Sequence, residues 1–302
     1  LGKISINHSV SKYGVTFILV SIVLLLLVFI SIWVGSFQIA PEEIISSFIG
    51  TNSDATTTAI LWEIRLPRTL MALFAGGILA LAGYQMQIVF QNPLADPYLL
   101  GVSAGAALGA NSALLGFLPI ALYGIYLVPV WAGVGALCVT FICIGLGANG
   151  QPQGQTLKLL LAGVALSSLC GALNSLLVYL SVEQNKLRSL VFWMLGSLDK
   201  ATWATLWLVM PSAFICLAVA FLLSNSFKIM LMGEQRANSL GLNTNKLRIV
   251  VLVLCSLATA FTVSSVGVIG FVGLVVPQFA RAIFPSASKQ GIGLVFLLGA
   301  SL

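Results

Sequence analysis

Residues Arg65 to Ala110, RLPRTLMALFAGGILALAGYQMQIVFQNPLADPYLLGVSAGAALGA, decide how the chain is read. Two apolar runs flank a polar turn, Gln91-Asn92-Pro93-Leu94-Ala95-Asp96-Pro97, in which each proline pushes its predecessor out of helical geometry. The first run, Arg68 to Phe90, opens on cations and carries Gly76, Gly77 and Gly83. The second starts near Tyr98 and spaces Gly101, Gly105 and Gly109 four residues apart. That spacing stacks three positions without side chains on one helix face, where a neighbouring backbone can approach closely. The pattern predicts a membrane-crossing hairpin that packs against protein as well as lipid.

Composition agrees. The chain is 59% hydrophobic and 7% charged, against about 25% charged residues in soluble domains. Eight apolar stretches are long enough to be read as spans, and a ninth begins at Gly291. The expected fold class is all-α, a polytopic transmembrane helix bundle forming a single domain over residues 1–302. The first run, Val15 to Gly35, is too long for a signal-peptide core and lacks a small-residue cleavage site, so it is read as a retained span. The last run has twelve residues to Leu302, about 18 Å of a roughly 30 Å core. The expectation is a chain incomplete at its C-terminus.

Between the spans, Pro41-Glu42-Glu43 predicts a short interfacial helix with acids at its N-terminus. Ser53 to Thr58 reads as an exposed loop. Gly233 to Leu242 (GEQRANSLGL) predicts a short amphipathic helix stopped by Gly241. Pro277 predicts a bend in the run Ile269 to Phe284.

Charge sets the orientation. With the N-terminus inside, Lys3, Lys12, Lys158, Lys228, Arg236, Lys246, Arg248, Arg281 and Lys289 lie on the inner side. Arg65, Arg68, Lys186, Arg188 and Lys200 lie on the outer side, completing the 14 basic residues. The inner excess favours a cytoplasmic N-terminus. The net charge of +6 therefore reflects orientation, not nucleic-acid binding.

Catalytic chemistry finds no footing. No span carries Asp, Glu, Lys or Arg in its middle, which weighs against an ion-coupled carrier, the main alternative. There is no G-x-x-x-x-G-K-[ST], H-E-x-x-H or G-x-S-x-G. The five cysteines sit in apolar runs without C-x-x-C spacing and read as small core residues, and the single histidine, His8, lies in the N-terminal tail. No catalytic residue, metal site or cofactor is expected in this chain, and a polytopic protein of this kind borrows its motor.

Five blocks in order, IRLPRTL (64–70), NPLADPYLLGVSAGAA (92–107), LLLAGVAL (159–166), GEQRANSLGL (233–242) and GFVGLVVP (270–277), resemble the FecCD family. These are membrane permeases of ABC importers for iron-siderophores, haem and cobalamin, in the bacterial cytoplasmic membrane. The resemblance implies about ten helices per full-length chain and a second permease chain as partner. It also implies two cytoplasmic ATPase subunits, which bind ATP and Mg, and an external substrate-binding protein; membrane lipid completes the surroundings. It casts Arg65 and Arg68 as docking cations for the binding protein. Gly233, Glu234, Arg236, Ala237, Leu240, Gly241 and Leu242 become the ATPase coupling helix, with Met232, Ala237, Leu240 and Leu242 as its apolar contact surface and Glu234 and Arg236 at the rim. Asn92, Pro93 and Leu94 become the cytoplasmic gate, and Phe192 to Leu198 a short helix near the outer mouth.

Overall fold

The computed structural model describes residues 2–50, 54–116, 127–148, 152–180, 191, 193–284 and 287–302. Helices α1 (Gly2–Trp33) and α2 (Pro41–Ile49) come first, followed by α3 (Ala55–Ala59). A π-helical stretch, Ile60–Arg65, joins α3 to α4 (Leu66–Val89). A 3-10 turn, Pro97–Leu100, precedes α5 (Val102–Leu114), then come α6 (Leu127–Ala148) and α7 (Pro152–Leu180). The second half holds α8 (Trp203–Leu222), α9 (Ser224–Met230), α10 (Glu234–Ser239), α11 (Thr244–Val266), α12 (Val272–Ile283) and α13 (Lys289–Ala300). Among the described residues six helices are long and apolar enough to cross a membrane, and α12 and α13 are shorter apolar helices. The chain is an all-α, multi-pass membrane bundle.

Burial ranks the helices. In the most apolar window of α11, 67% of residues are buried, against 6% in α1 and 11% in α7. Helix α4 is buried on every side from Gly77 to Val89, the condition of a helix at the centre of a bundle. Its glycines admit the neighbours. A methyl at Gly76 would strike the carbonyl oxygen of Gly299, one at Gly77 the ring of Phe296, and one at Gly83 the backbone of Gly273. Helix α4 is thereby locked against α12 and α13 by backbone contact.

Three sequence expectations change. Asp54 begins a helix, and Ala55–Ala59 runs through the π stretch into α4, so most of the expected loop at 53–58 is helical. The second arm of the hairpin is a 3-10 turn and then a helix, because Gly101 takes a left-handed φ of 81° between them. Cys138 is exposed, whereas Cys143, Cys170, Cys216 and Cys255 are buried. Helix α2 forms with Glu42 and Glu43 in its first turn and Gly50 as a left-handed C-cap. Pro277 lies inside α12.

Candidate functional site: docking face, gate turn and coupling segment

The two arginines at the head of α4 part company. Arg65 is buried, and its guanidinium donates from Nη1 to the carbonyls of Ile32 (2.7 Å) and Trp33 (2.8 Å) and from Nη2 to that of Phe37. Ile32 and Trp33 end α1, where carbonyls lack intrahelical partners. Arg65 therefore ties the end of α1 to the head of α4, and Gly35 leaves it room, since a methyl there would meet the guanidinium. This corrects the expectation that Arg65 projects outward as half of a docking pair. Arg68 does project: its side chain is 43% exposed and its Nη2 lies 2.8 Å from Asp199 Oδ1. Nearby, Trp203 Nε1 donates to the Trp62 carbonyl at 2.8 Å, pinning the head of α8 to the π stretch. Phe192, at the start of the expected short outer helix, lies outside the described residues.

At the other end of α4 the turn at 91–97 is held from three directions. Within it, Asn92 Oδ1 accepts from the Leu94 N–H at 3.0 Å, and the Asn92 carbonyl accepts from Ala95 N–H at 3.1 Å. Gln278 Nε2 on α12 donates to the Pro93 carbonyl at 2.9 Å. Gln91, at a positive φ of 49°, donates from Nε2 to the Met230 carbonyl at 2.9 Å, at the end of α9. Asp96 is buried, and its Oδ1 caps the 3-10 turn by accepting from Tyr98 N–H at 2.8 Å. Burial pushes the Asp96 carboxyl above its ordinary value, with the Tyr98 N–H pulling the other way. Leu94, 70% exposed, stands at the tip beside Phe271 and Phe279.

The expected small-residue face is brought against α6. A methyl at Gly101 would meet the Val139 side chain, one at Gly105 the Gly135 carbonyl, and one at Gly109 the Trp131 carbonyl.

The segment at 233–242 folds more tightly than its sequence implies. Helix α10 is only six residues, opened by Gly233 at a φ of 103° and followed by Gly241 at 84°. Ala237 is buried and Leu242 packs against the core, so neither belongs to the exposed apolar surface. Glu234 Oε1 accepts from Arg248 Nη2 at 2.9 Å, and Arg248 is 1% exposed. Thr244 Oγ1 adds bonds to Glu234 and Asn238. Glu234 is therefore an inward anchor, not a rim charge. Buried Ala237 and the Glu234–Arg248 pair fix the segment to α11, leaving Met232, Leu240 and Arg236 facing out. The partners of Gln91, Gln278 and Arg248 escaped the sequence reading, because each lies more than ten residues away.

The molybdate import system permease protein of Haemophilus influenzae is 34% identical over 248 residues, 82% of this chain and 72% of that protein. The vitamin B12 import system permease protein of Klebsiella pneumoniae is 36% identical over 286 residues, 93% of this chain and 80% of that one. The fold matches an inward-facing ABC transporter of the metal-chelate type with a TM-score of 0.83 and 27% identity, covering 95% of this chain and 87% of that one. Residues 23–302 match the model of the FecCD transport family, and the chain belongs to that family as a membrane permease subunit of an ABC importer.

Proposed function

We propose that the chain carries a metal chelate, an iron-siderophore, haem or cobalamin, into the bacterial cytoplasm. It does so together with a second permease chain, two cytoplasmic ATPase subunits that bind ATP and Mg, and an external binding protein. The observation that carries the cargo assignment is the exposed face of α7. Ala165, Ser168, Ala172 and Ser175 recur at helical spacing there, small and uncharged, while most of that helix is exposed. Set against its counterpart in the proposed second chain, such a face, flanked by exposed Leu161 and Leu169, would leave width for a bulky organic-wrapped metal and present no fixed charge to trap it. The B12 permease and the metal-chelate transporter among the relatives support the same cargo class.

In this reading the binding protein docks on Arg68. Leu94, held by Asn92 and Pro93, closes the inner end of the passage, and the outward face of the 233–242 segment sits in a groove on the ATPase. The Gln91–Met230 bond links that segment to the gate turn. The molybdate permease relative favours a second cargo, a tetrahedral oxyanion. Uptake by the complete transporter in proteoliposomes, loaded with ATP and supplied with binding protein, decides between them. ATP-dependent accumulation of a ferric siderophore, haem or cobalamin is expected. Accumulation of molybdate alone would replace the chelate, and uptake driven by an ion gradient without the ATPase would overturn the importer mechanism.

A further inference from the structure

A groove of about 520 Å³ opens on the outside of the bundle between α1, the end of α8 and the first turn of α13. Its walls are apolar: Phe17 and Ile18 from α1, Phe221 from α8 and Gly293 from α13. Gly293 keeps it open, because a methyl there would come within 3.2 Å of the Phe17 ring. At one end stand Lys289 and Gln290, both exposed.

Three helix ends meet at this level. Gly14 opens the apolar part of α1, Phe221 lies one residue from the end of α8, and Lys289 is the first residue of α13. The groove thus sits at one membrane boundary, on the side that the charge distribution marks by its excess of lysine and arginine. Lys228, exposed on α9, follows Phe221 by two turns on the same side. None of the three walling helices carries an Asp or Glu.

We propose that this groove binds one anionic phospholipid of the adjoining leaflet, with an acyl chain along Phe17, Ile18 and Phe221 and the phosphate at Lys289 and Gln290. The physical warrant is complementarity at both ends. An apolar trough at bilayer depth accepts hydrocarbon, and a lysine at the headgroup level attracts anionic lipid by about fivefold over zwitterionic lipid. The first turn of α13 adds the positive end of a helix dipole beside that lysine. The occupant is a lipid rather than free phosphate, because most of the cavity is lined by hydrocarbon. The inference stands apart from the cargo assignment.

The test places a fluorescent reporter in the groove. Ile18 is 60% exposed and accommodates Ile18→Trp. The full chain is reconstituted in phosphatidylcholine vesicles containing a minor share of dibrominated phosphatidylglycerol or dibrominated phosphatidylcholine, and quenching is measured relative to the parent protein. Brominated phosphatidylglycerol is expected to quench the added indole at about fivefold lower lipid share. Lys289→Glu abolishes that preference, Lys289→Gln weakens it while keeping the helix start, and Lys246→Glu, away from the groove, leaves it intact. Equal quenching by the two lipids, or a preference that survives Lys289→Glu, would overturn the proposal. Absence of quenching by either would also overturn it, showing protein rather than lipid in the groove.

Discussion

Arg68 Nη2 and Asp199 Oδ1 stand 2.8 Å apart, both exposed, in an ion pair that joins the head of α4 to the segment before α8. Exposed pairs contribute about 0–1 kcal/mol to stability, so the value of this one lies in what it holds ready. Asp199 occupies the cation that a docking carboxylate would need. Arg68→Glu is expected to weaken binding-protein affinity at least tenfold, with the melting temperature hardly moved. Asp199→Asn frees Arg68 and is expected to tighten docking by a few-fold. Calorimetric titration of the binding protein onto the reconstituted transporter reads both, and unchanged affinity in Arg68→Glu would remove Arg68 from the docking site.

Arg65, one turn earlier, behaves in the opposite way. Its three carbonyl partners close the end of α1, and hydrogen bonds to a charged group are worth about 1.5–3 kcal/mol each. Arg65→Met is expected to destabilise the chain by roughly 2–4 kcal/mol, because it leaves several carbonyls unpaired while the methionine fills part of the space. Docking affinity of the folded fraction should not change. Thermal unfolding in detergent, set beside the titration above, separates the two arginines.

Asp96 gives the pH dependence. Burial raises its folded pKa above the unfolded value, so the stability it contributes is fully present below the unfolded pKa and is lost as pH rises through the folded one. Asp96→Asn keeps an oxygen to accept the Tyr98 N–H and removes the buried charge. The variant is expected to melt higher than the parent at neutral pH, with the gain shrinking to nothing in acid below the carboxylate range. A gain that grew on acidification would contradict the assigned cause.

Gly109 and Gly171 offer a paired test of close packing. A methyl at Gly109 runs into the Trp131 backbone, which cannot swing aside, whereas at Gly171 nothing lies within 4 Å. Gly109→Ala is expected to cost about 1–3 kcal/mol through overpacking between α5 and α6. Gly171→Ala should stay within about 0.5 kcal/mol. Equal melting temperatures for the two variants would show that α5 and α6 are not in backbone contact.

Much of this architecture was legible because hydropathy in a bilayer is a strong signal. The runs around Leu24, Ile78, Val139 and Val251 all became helices where their apolar length required it. The Pro-rich turn at 91–97 and the acids of α2 were readable for the same reason, since proline geometry and helix-end electrostatics are local. What escaped depends on direction and distance. Two arginines three residues apart look alike in sequence, yet the open carbonyls of Ile32 and Trp33 turn one of them inward. A six-residue helix is too short for periodicity to tell its faces apart, so Ala237 and Leu242 looked available while the core claimed them. The polar threonines before Ile60 resemble a loop, but a helix already propagating from α4 extends through them at little added cost.

The two charges of the segment at 233–242, Glu234 and Arg236, have different environments. Arg248 is almost wholly buried and Glu234 is the acid paired with it, so removing the acid takes away the charged partner and leaves Nη1 on Asn245 Oδ1. Losing a hydrogen bond to a charged group costs about 1.5–3 kcal/mol, and Glu234→Ala is expected to lower the melting temperature and loosen the segment together. Arg236 faces solvent, so Arg236→Glu should leave stability unchanged. In the proposed transporter it lies on the surface offered to the ATPase, as does Leu240, 63% exposed. Arg236→Glu and Leu240→Asp are therefore expected to reduce copurification of the ATPase subunits by about tenfold or more, the order of a buried contact worth at least 1.4 kcal/mol. Full ATPase retention in Leu240→Asp would place the coupling contact elsewhere on the cytoplasmic face, and loss of ATPase in Glu234→Ala without any fall in melting temperature would mean that Glu234 touches the partner directly rather than holding the segment in place.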